Sequence, residues 1–327
     1  PDEPLVEKLT DQLPAYGMTT FRDIFTERQS LYLLGMATAV RQAQDAMARL
    51  EHDTAQVRCL LTYLAILLDR QVDYNSSFCI WEPGGQFIKS TFTRQALTWW
   101  GDFCEQAPLG GGSGSPDGAL DWITSVIQTE SNQGQPAQVQ RGSATALPWT
   151  EDHFDAVITD PPYYDNIQYA PLSDFFYVWM KRTIGGEYPG DMASRLSPKK
   201  GEAVASPWRH EGKNDSRRAY EEMMAQALHE THRVLKPGGQ VALVYAHKTT
   251  LGWSTLVQAL RSAGFVVTQA WPLDTERPGR TISIGSAALA SSIFLVARKR
   301  EPGSRTAGYE ANVRPELERI VRERVAT

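Results

Sequence analysis

The chain has 327 residues and a net charge of −5, from 33 Lys and Arg against 38 Asp and Glu. Its 42% hydrophobic and 22% charged residues exclude a disordered chain, and the acidic balance excludes a uniformly basic nucleic-acid coat, although not a local basic patch. The three cysteines are too few and too widely spaced for a disulfide framework or a CxxC metal site, so we expect a reducing, cytoplasmic compartment. The longest apolar run, Leu60–Leu68, is too short to span a bilayer, so we predict no membrane association. Because the chain starts with Pro1 and not Met, we expect it to be part of a longer protein.

Residues 1–108 are predicted to form a mainly helical region. A helix is expected from Thr26 to about Leu50, where apolar residues recur at helical spacing and Thr26 with Gln29 resembles a capping box. A second helix follows over Ala55–Arg70. Ser77–Ile88 is strand-like and interrupted by a Pro-Gly-Gly sequence. Thr93–Glu105 is predicted to be helical, with Trp99 and Trp100 in the core.

Residues 109–118 are rich in Gly and Ser and form the clearest linker, either natural or engineered. Strands and helices then alternate over the predicted catalytic domain, residues 119–300. The predicted helices are Ala119–Thr129, Ala219–Leu235 and Ser254–Ala263, and the predicted strands are Ala137–Arg141, Phe154–Thr159, Gln240–Tyr245, Phe265–Trp271 and Ile293–Ala297. This order predicts an α/β fold with a mostly parallel, doubly wound sheet and a closing hairpin. The polar tail, residues 301–327, is expected to hold a short helix over Pro315–Val325.

The strongest chemical signal is Asp160-Pro161-Pro162-Tyr163, directly after the apolar strand Phe154–Thr159. Open α/β sheets bind ligands at the carboxyl ends of their strands. The prolines stiffen the turn and present carbonyl acceptors beside the Asp160 carboxylate. Two acceptors near one ring suit an exocyclic amine, and Tyr163 could stack on the ring that carries it. An ordinary proline-rich turn is the alternative interpretation.

This strand and the DPPY sequence resemble the catalytic motif of amino-group methyltransferases that use S-adenosylmethionine, chiefly DNA N6-adenine enzymes. Arg233-Val-Leu-Lys-Pro-Gly-Gly239 before a strand is common in class I methyltransferases, which have a Rossmann-like fold. The longer sequences DPPYYDNIQYAPLSDFFYVWMKR and ALASSIFLVARKR resemble the large bacterial adenine-specific DNA methylases that contain a zinc ribbon. The resemblance extends from about Thr20 to Arg300.

The resemblance implies base flipping, since the amine is unreachable inside a duplex. Asp160 and the Pro161 carbonyl would accept hydrogen bonds from the amine, and Tyr163 would stack on the flipped base, with Pro162 stiffening the turn. Gly142, Ser143 and Ala144 resemble the loop that flanks the adenine of the cofactor, which Asp160 also adjoins. The expected contacts to base or DNA backbone are Tyr164, Asp165 and Asn166. The histidines lack ligand spacing, and we predict no metal site.

One expected feature is missing, because no glycine-rich loop follows a first apolar strand. Trp81–Phe87 has the composition of that loop, but a simple Pro-Gly-Gly turn is the favoured interpretation. In the family this loop lies nearer the N-terminus, so we expect this chain to be the C-terminal part of such a protein. An N-terminal half or a partner chain would then supply the loop. Phe25 and Thr26 lie in a sequence similar to a cofactor-contacting segment of related enzymes and are further cofactor candidates.

A basic insertion at 195–218 is the second candidate region, with seven cations against three carboxylates. Its cations are expected either to hold DNA phosphates or to lie on a solvated loop. The DNA-contact candidates in this insertion and beyond it are Lys199, Lys200, Arg209, Arg217 and Arg280.

The sequence therefore predicts an S-adenosylmethionine-dependent DNA methyltransferase that acts on an exocyclic amine. N6 of adenine is favoured over N4 of cytosine as the target, and the expected role is in restriction-modification or phage defence. Two alternatives remain open. One is methylation of RNA or of a protein amide, and the other is a non-catalytic nucleic-acid-binding half of a split methyltransferase.

Overall fold

A computed structural model describes residues 1–50, 53–112, 114–131, 134–165, 167–246, 250–273, 292–300, 303 and 314–325. The chain divides into two compact units. Unit 1 comprises Pro1–Arg141 and Tyr164–Tyr220, and unit 2 comprises Gly142–Tyr163 and Glu221–Thr327. The chain thus passes between the units three times, whereas the sequence led us to expect one boundary at residues 109–118.

Unit 1 is mainly helical, and it contains residues 1–108, for which the sequence predicts a mainly helical region. Its first helices are α1 (Glu27–Arg49) and α2 (Thr54–Tyr74), which follow three short 3₁₀ turns. The Thr26 capping box is confirmed, since the Gln29 amide donates to the Thr26 hydroxyl and the Thr26 amide to the Gln29 side chain. The apolar residues that recur at helical spacing in the sequence include Leu31, Leu34, Ala37 and Val40, and the buried face of α1 matches them only in part. Leu33, Ala37 and Val40 are buried, but Leu31 is 75% exposed.

The strand-like segment after α2 is a two-stranded hairpin of β1 (Ile80–Glu82) and β2 (Phe87–Lys89). Its turn contains the Pro-Gly-Gly sequence, which agrees with the interpretation of that sequence as a simple turn. The helix predicted over Thr93–Glu105 is wrong, because the segment is irregular. Leu97 is its only buried apolar residue, and Trp100 is exposed. A helix here would lack an apolar face to bury.

Unit 1 contains two further helices. Helix α3 (Pro116–Glu130) begins where the Gly118 amide donates to the Ser115 side chain. Helix α4 (Tyr169–Ile184) was not predicted. Phe175, Val178 and Trp179 of α4 are fully buried in the core of unit 1.

Unit 2 contains a four-stranded sheet in the order β3-β4-β6-β5, with β3 at Phe154–Thr159, β4 at Leu235–Tyr245, β5 at Phe265–Leu273 and β6 at Ser292–Lys299. Strands β3 and β4 are parallel, and β6 runs antiparallel to both β4 and β5. The Rossmann-like α/β class and the closing hairpin are confirmed. The directions are mixed and not mostly parallel, and residues 137–141 form no strand, with Val139 94% exposed.

The remaining helices are α5 (Lys213–Val234), α6 (Thr250–Ser262) and α7 (Arg314–Val325). Helix α5 starts six residues before its predicted start and belongs to unit 1 up to Tyr220 and to unit 2 from Glu221. Among the described residues, no helix is long and apolar enough to cross a membrane.

The Lys236-Pro-Gly-Gly239 sequence lies at the amino end of β4. Gly238 has a φ of +77°, and a Cβ on Gly239 would lie 2.9 Å from the Asp155 carbonyl oxygen. Both glycines are therefore required by the backbone, because β4 passes close to β3 at this point. The motif shapes the end of the sheet opposite to the one where β3 leads into Asp160.

Candidate active site

The candidate site lies at the carboxyl end of β3, where Asp160 follows the strand directly. Asp160 is exposed, and the Tyr163 hydroxyl donates a hydrogen bond of 2.5 Å to its Oδ1. The two prolines between them are partly buried. Since a proline nitrogen carries no hydrogen, this turn presents carbonyl oxygens and a carboxylate without competing backbone donors. The tetrapeptide is therefore an acceptor-rich, solvent-accessible edge.

An aromatic cluster holds Tyr163 in place. Its ring packs edge-on against Tyr245, with centroids 5.4 Å apart, and Tyr245 packs edge-on against Trp253 at 5.1 Å. Tyr245 is the last residue of β4, so the parallel pairing of β3 and β4 brings the two tyrosines to the same end of the sheet. No role for Tyr245 is predicted from the sequence. An aromatic residue ending the strand after the DPPY strand is the signal that could have found it.

The loop expected to flank the cofactor, Gly142, Ser143 and Ala144, belongs to the same unit and is exposed. The Ser143 hydroxyl accepts from the Thr145 amide at 3.2 Å and contacts the Thr145 hydroxyl at 2.7 Å. Next to it, the Leu147 amide donates to Glu230, which pairs with Arg233. These bonds lower the pKa of Glu230 to about 2, through the Arg233 guanidinium first and the Leu147 amide second. The loop is thus anchored to α5 and leaves its first residues accessible.

The residues after Tyr163 belong to unit 1. Tyr164 has a φ of +52°, a strained conformation for a tyrosine. Its carbonyl accepts from the Ala205 amide at 3.0 Å, and its ring packs edge-on against Tyr220. Asp165 is exposed, whereas Asn166 lies outside the described residues. Tyr164 is therefore held by the protein, and of these three DNA candidates Asp165 is the one that the structure shows accessible.

Phe25 and Thr26 have structural roles in unit 1, which argues against the predicted cofactor contacts. Phe25 is 8% exposed and packs against Phe175 and Trp179 with centroids 5.8 and 5.5 Å apart. The Thr26 hydroxyl caps α1 and donates to Glu105 at 2.8 Å. Core packing and helix capping account for both side chains.

Two of the predicted phosphate-binding residues, Lys199 and Arg209, form ion pairs within the protein. Arg209 pairs with Glu7 and Glu202 at 2.8 Å each and donates to the Lys199 carbonyl. Lys199 donates to the fully buried Asp174 at 2.7 Å. These cations stabilise the loop, because leaving their partners unpaired in the interior would be costly.

The other basic candidates differ in exposure. Lys200 is exposed, Arg217 lies in the first turns of α5 and is partly buried, and Arg280 lies outside the described residues. In the described part of the chain, no three His, Cys, Asp or Glu side chains come together as a metal site.

The outer edge of β3 pairs with no strand among the described residues, since β4 is its only neighbour in the sheet. Ile158, next to the motif, is 77% exposed. An unpaired edge presents free backbone donors and acceptors and accepts a further strand readily. Asp160 therefore follows a strand with one open side.

Comparisons with known proteins give structural likenesses alone, as no protein-family model and no curated protein matches the chain. A candidate DNA modification methylase of Thermus thermophilus is 17% identical, with a TM-score of 0.28 over 52% of this chain and 56% of that one. The same protein in complex with S-adenosyl-L-methionine gives a TM-score of 0.29 at 17% identity, over 52% of this chain and 57% of that one. A SAM-dependent methyltransferase of Methanosarcina mazei is 11% identical, with a TM-score of 0.29 over 56% of this chain and 78% of that one. The chain thus spans little more than half the length of the first structures it resembles. At these TM-scores the function has to be argued from the residues of the chain itself.

Proposed function

We propose that the chain is the catalytic part of an S-adenosylmethionine-dependent DNA methyltransferase that modifies an exocyclic amine. The favoured target is N6 of adenine. The observation that carries the proposal is the exposed Asp160 carboxylate at the carboxyl end of β3, joined by two prolines to a tyrosine that hydrogen-bonds it.

The acceptors of this turn match the donors of an amine. An exocyclic amine has two N–H groups, and the turn offers the Asp160 carboxylate and the Pro161 carbonyl. Hydrogen bonds to these acceptors draw the nitrogen lone pair out of conjugation with the ring and fix its direction, which is how positioned groups accelerate a transfer. The carboxylate is also a site for the proton that the amine loses.

Tyr163 is suited to hold the base. Its hydroxyl is tied to Asp160 and one ring edge to Tyr245, so the ring is restrained before a substrate arrives. A restrained aromatic ring can stack on a base that has left the duplex, with little loss of conformational entropy on binding.

The cofactor half of the site fits less completely. Gly142, Ser143 and Ala144 are accessible in unit 2, but Phe25 is buried and Thr26 is a helix cap. S-adenosylmethionine would supply the methyl group when bound. We propose that a glycine-rich loop from an N-terminal half or a partner chain completes the site, and the open outer edge of β3 supports this.

Several finer parts of the proposal rest on the family resemblance. These are the relationship to zinc-ribbon adenine methylases, base flipping, a role in restriction-modification or phage defence, and a cytoplasmic location. The DNA contacts that we retain are Tyr164, Asp165, Asn166, Lys200, Arg217 and Arg280. Lys199 and Arg209 are withdrawn, because their charges are neutralised inside the protein.

A second candidate function is a nucleic-acid-binding half that is inactive without its partner. The open edge of β3 favours it, because the cofactor site then needs a strand from elsewhere.

Calorimetric titration of S-adenosylmethionine into the full chain separates an enzyme that binds its cofactor alone from a half that needs a partner. Stoichiometric binding, followed by N6-methyladenine in DNA detected by mass spectrometry of nucleosides, would support the enzyme. Absence of binding would favour the incomplete half.

For the enzyme, we expect Asp160→Ala to lower methyl transfer by about 100-fold or more, by analogy with the loss of a preorganised polar group. Asp155→Ala is the matched control, since Asp155 is an exposed carboxylate on the same strand that pairs with Lys236. Equal activity of the two variants would refute the site assignment.

A further inference from the structure

A cavity of about 210 Å³ lies within unit 1, and none of the residues assigned to catalysis lines it. It is lined by the first 3₁₀ turns, by residues 94–98 and by the start of α4. Its volume is about seven times the roughly 30 Å³ that one water occupies in the liquid. It is smaller than the roughly 300 Å³ or more of a pocket for a drug-sized ligand. The space therefore suits one heterocyclic ring, not an extended cofactor.

The walls of the cavity contain both apolar and amide side chains. Leu9, Leu13 and Leu97 line it and are at most 7% exposed, so they form a fixed apolar surface. Gln12, Gln95 and Gln168 also line it. Such a surface accepts the face of a planar ring, and glutamine amides can pair with the edge of that ring.

Gln168 is the most informative of these residues. It is 7% exposed, and its side-chain oxygen is buried without a hydrogen-bond partner in the described chain. A buried acceptor without a donor costs about 1–3 kcal/mol, so a ligand that donates to it would be favoured. Gln168 precedes α4, but its side chain does not cap that helix. Glu202 accepts from the Ala170 amide there instead.

The rim of the cavity is cationic. Lys8 and Arg94 are exposed lining residues, and neither forms an ion pair with a described carboxylate. The Arg94 guanidinium lies over the Trp100 ring, 5.2 Å from its centroid. Asp11 is the one acidic lining residue, which leaves a net charge of +1. This contrasts with Lys199 and Arg209 in the same unit, whose charges are neutralised internally.

We propose that this cavity binds an adenine nucleotide, with the ring on the leucines, the base edge on the glutamine amides and the phosphate on Lys8 and Arg94. A glutamine amide offers one donor and one acceptor, which matches the N6 amine and an adjacent ring nitrogen of adenine. The corresponding edge of guanine presents two acceptors, which suit Arg or Lys better. The nucleotide is either free or one residue of a single DNA strand.

The test is calorimetric titration of AMP, GMP and adenosine into the full chain. We expect saturable 1:1 binding of AMP, with GMP weaker by about fivefold or more. Gln168→Leu should weaken AMP binding about tenfold or more, whereas Gln42→Leu, on the exposed face of α1, should leave it unchanged. Absence of AMP binding to the folded chain at millimolar concentration would overturn the proposal.

Rim variants keep the test valid if Gln168→Leu fails to fold. Lys8→Ala and Arg94→Ala change exposed residues and should weaken AMP binding without affecting adenosine, with Lys200→Ala as the charge control. Unchanged AMP affinity in both rim variants would refute the phosphate contacts and, with them, the nucleotide site.

The two sources of the nucleotide are separated by a short oligo-dA strand. Binding of the strand more tightly than AMP, with loss in the rim variants, assigns the site to DNA. Equal or weaker binding of the strand assigns it to a free nucleotide. AMP binding should persist in Asp160→Ala, so this proposal can fail while the methyltransferase proposal stands, and the reverse.

Discussion

The loop Arg195–Gly212 in unit 1 and the turn Asp160–Tyr163 in unit 2 are both rich in polar groups, but they use them in opposite ways. In the loop, Lys199 meets a fully buried Asp174, and Arg209 meets two carboxylates. In the turn, Asp160 is exposed and receives a hydrogen bond from Tyr163. A charged group whose partners lie inside the protein is costly to leave unpaired, whereas one that faces solvent remains available to a ligand.

The largest expected effect on stability is at the loop Arg195–Gly212. Asp174→Ala removes an acceptor that serves the Ser197 amide, the Ser197 hydroxyl and Lys199. Since the variant leaves a cation and two donors without their partner, we expect the free energy of unfolding to fall by about 3–5 kcal/mol. Urea denaturation measures this, with Asp165→Ala as the exposed control. A loss below about 1 kcal/mol would show that the loop is not held by its buried ions.

Substitution of Gly239, at the amino end of the sheet in unit 2, should also destabilise the protein. In Gly239→Ala, the new Cβ would meet the Asp155 carbonyl and the Leu235 side chain at 2.9 Å. We expect a destabilisation of about 1–3 kcal/mol, because the backbone of β3 has to shift. Gly186→Ala is the matched control, as a Cβ there meets nothing within 4 Å. Thermal denaturation of both variants gives the comparison, and equal melting temperatures would contradict the expected clash.

A pH-dependent effect is expected at Glu230, which anchors the loop after Ala144. Arg233 and the Leu147 amide lower its pKa from an ordinary 4.5 to about 2. Because the folded-state pKa is depressed, the stabilisation is complete above pH 4.5 and is lost as the pH falls towards 2. Glu230→Gln should therefore be less stable than wild type at pH 7, by about 1 kcal/mol or less since the pair is partly exposed. The difference in unfolding free energy should shrink between pH 4.5 and 2, and a constant difference would contradict this.

The smallest effect on stability is expected at the turn Asp160–Tyr163. In Asp160→Ala the lost carboxylate is exposed, so we expect the free energy of unfolding to change by no more than about 0.5 kcal/mol. Circular dichroism during thermal denaturation measures it. A much larger loss would mean that Asp160 supports the fold as Asp174 does, and would weaken its assignment to catalysis.

Most regular elements could be predicted from the sequence, because their signals are local. The capping box at Thr26, the apolar strand Phe154–Thr159 and the helix at the C-terminal end each depend on neighbouring residues. The errors have local causes as well. Residues 137–141 alternate weakly and are all exposed, and Thr93–Glu105 has aromatic residues without a helical apolar face.

By itself, the sequence determined where the candidate turn lies and what it offers, since a strand followed by Asp160 and two prolines fixes a carboxylate and carbonyl acceptors at a strand end. Only the tertiary structure decided which charged residues remain available. Glu7 and Arg209 are 202 positions apart in the chain, yet they pair at 2.8 Å. Tyr245 reaches Tyr163 because β3 and β4 are parallel neighbours. Charge and aromaticity are properties of a single residue, but the partner that neutralises or orients it is set by long-range packing.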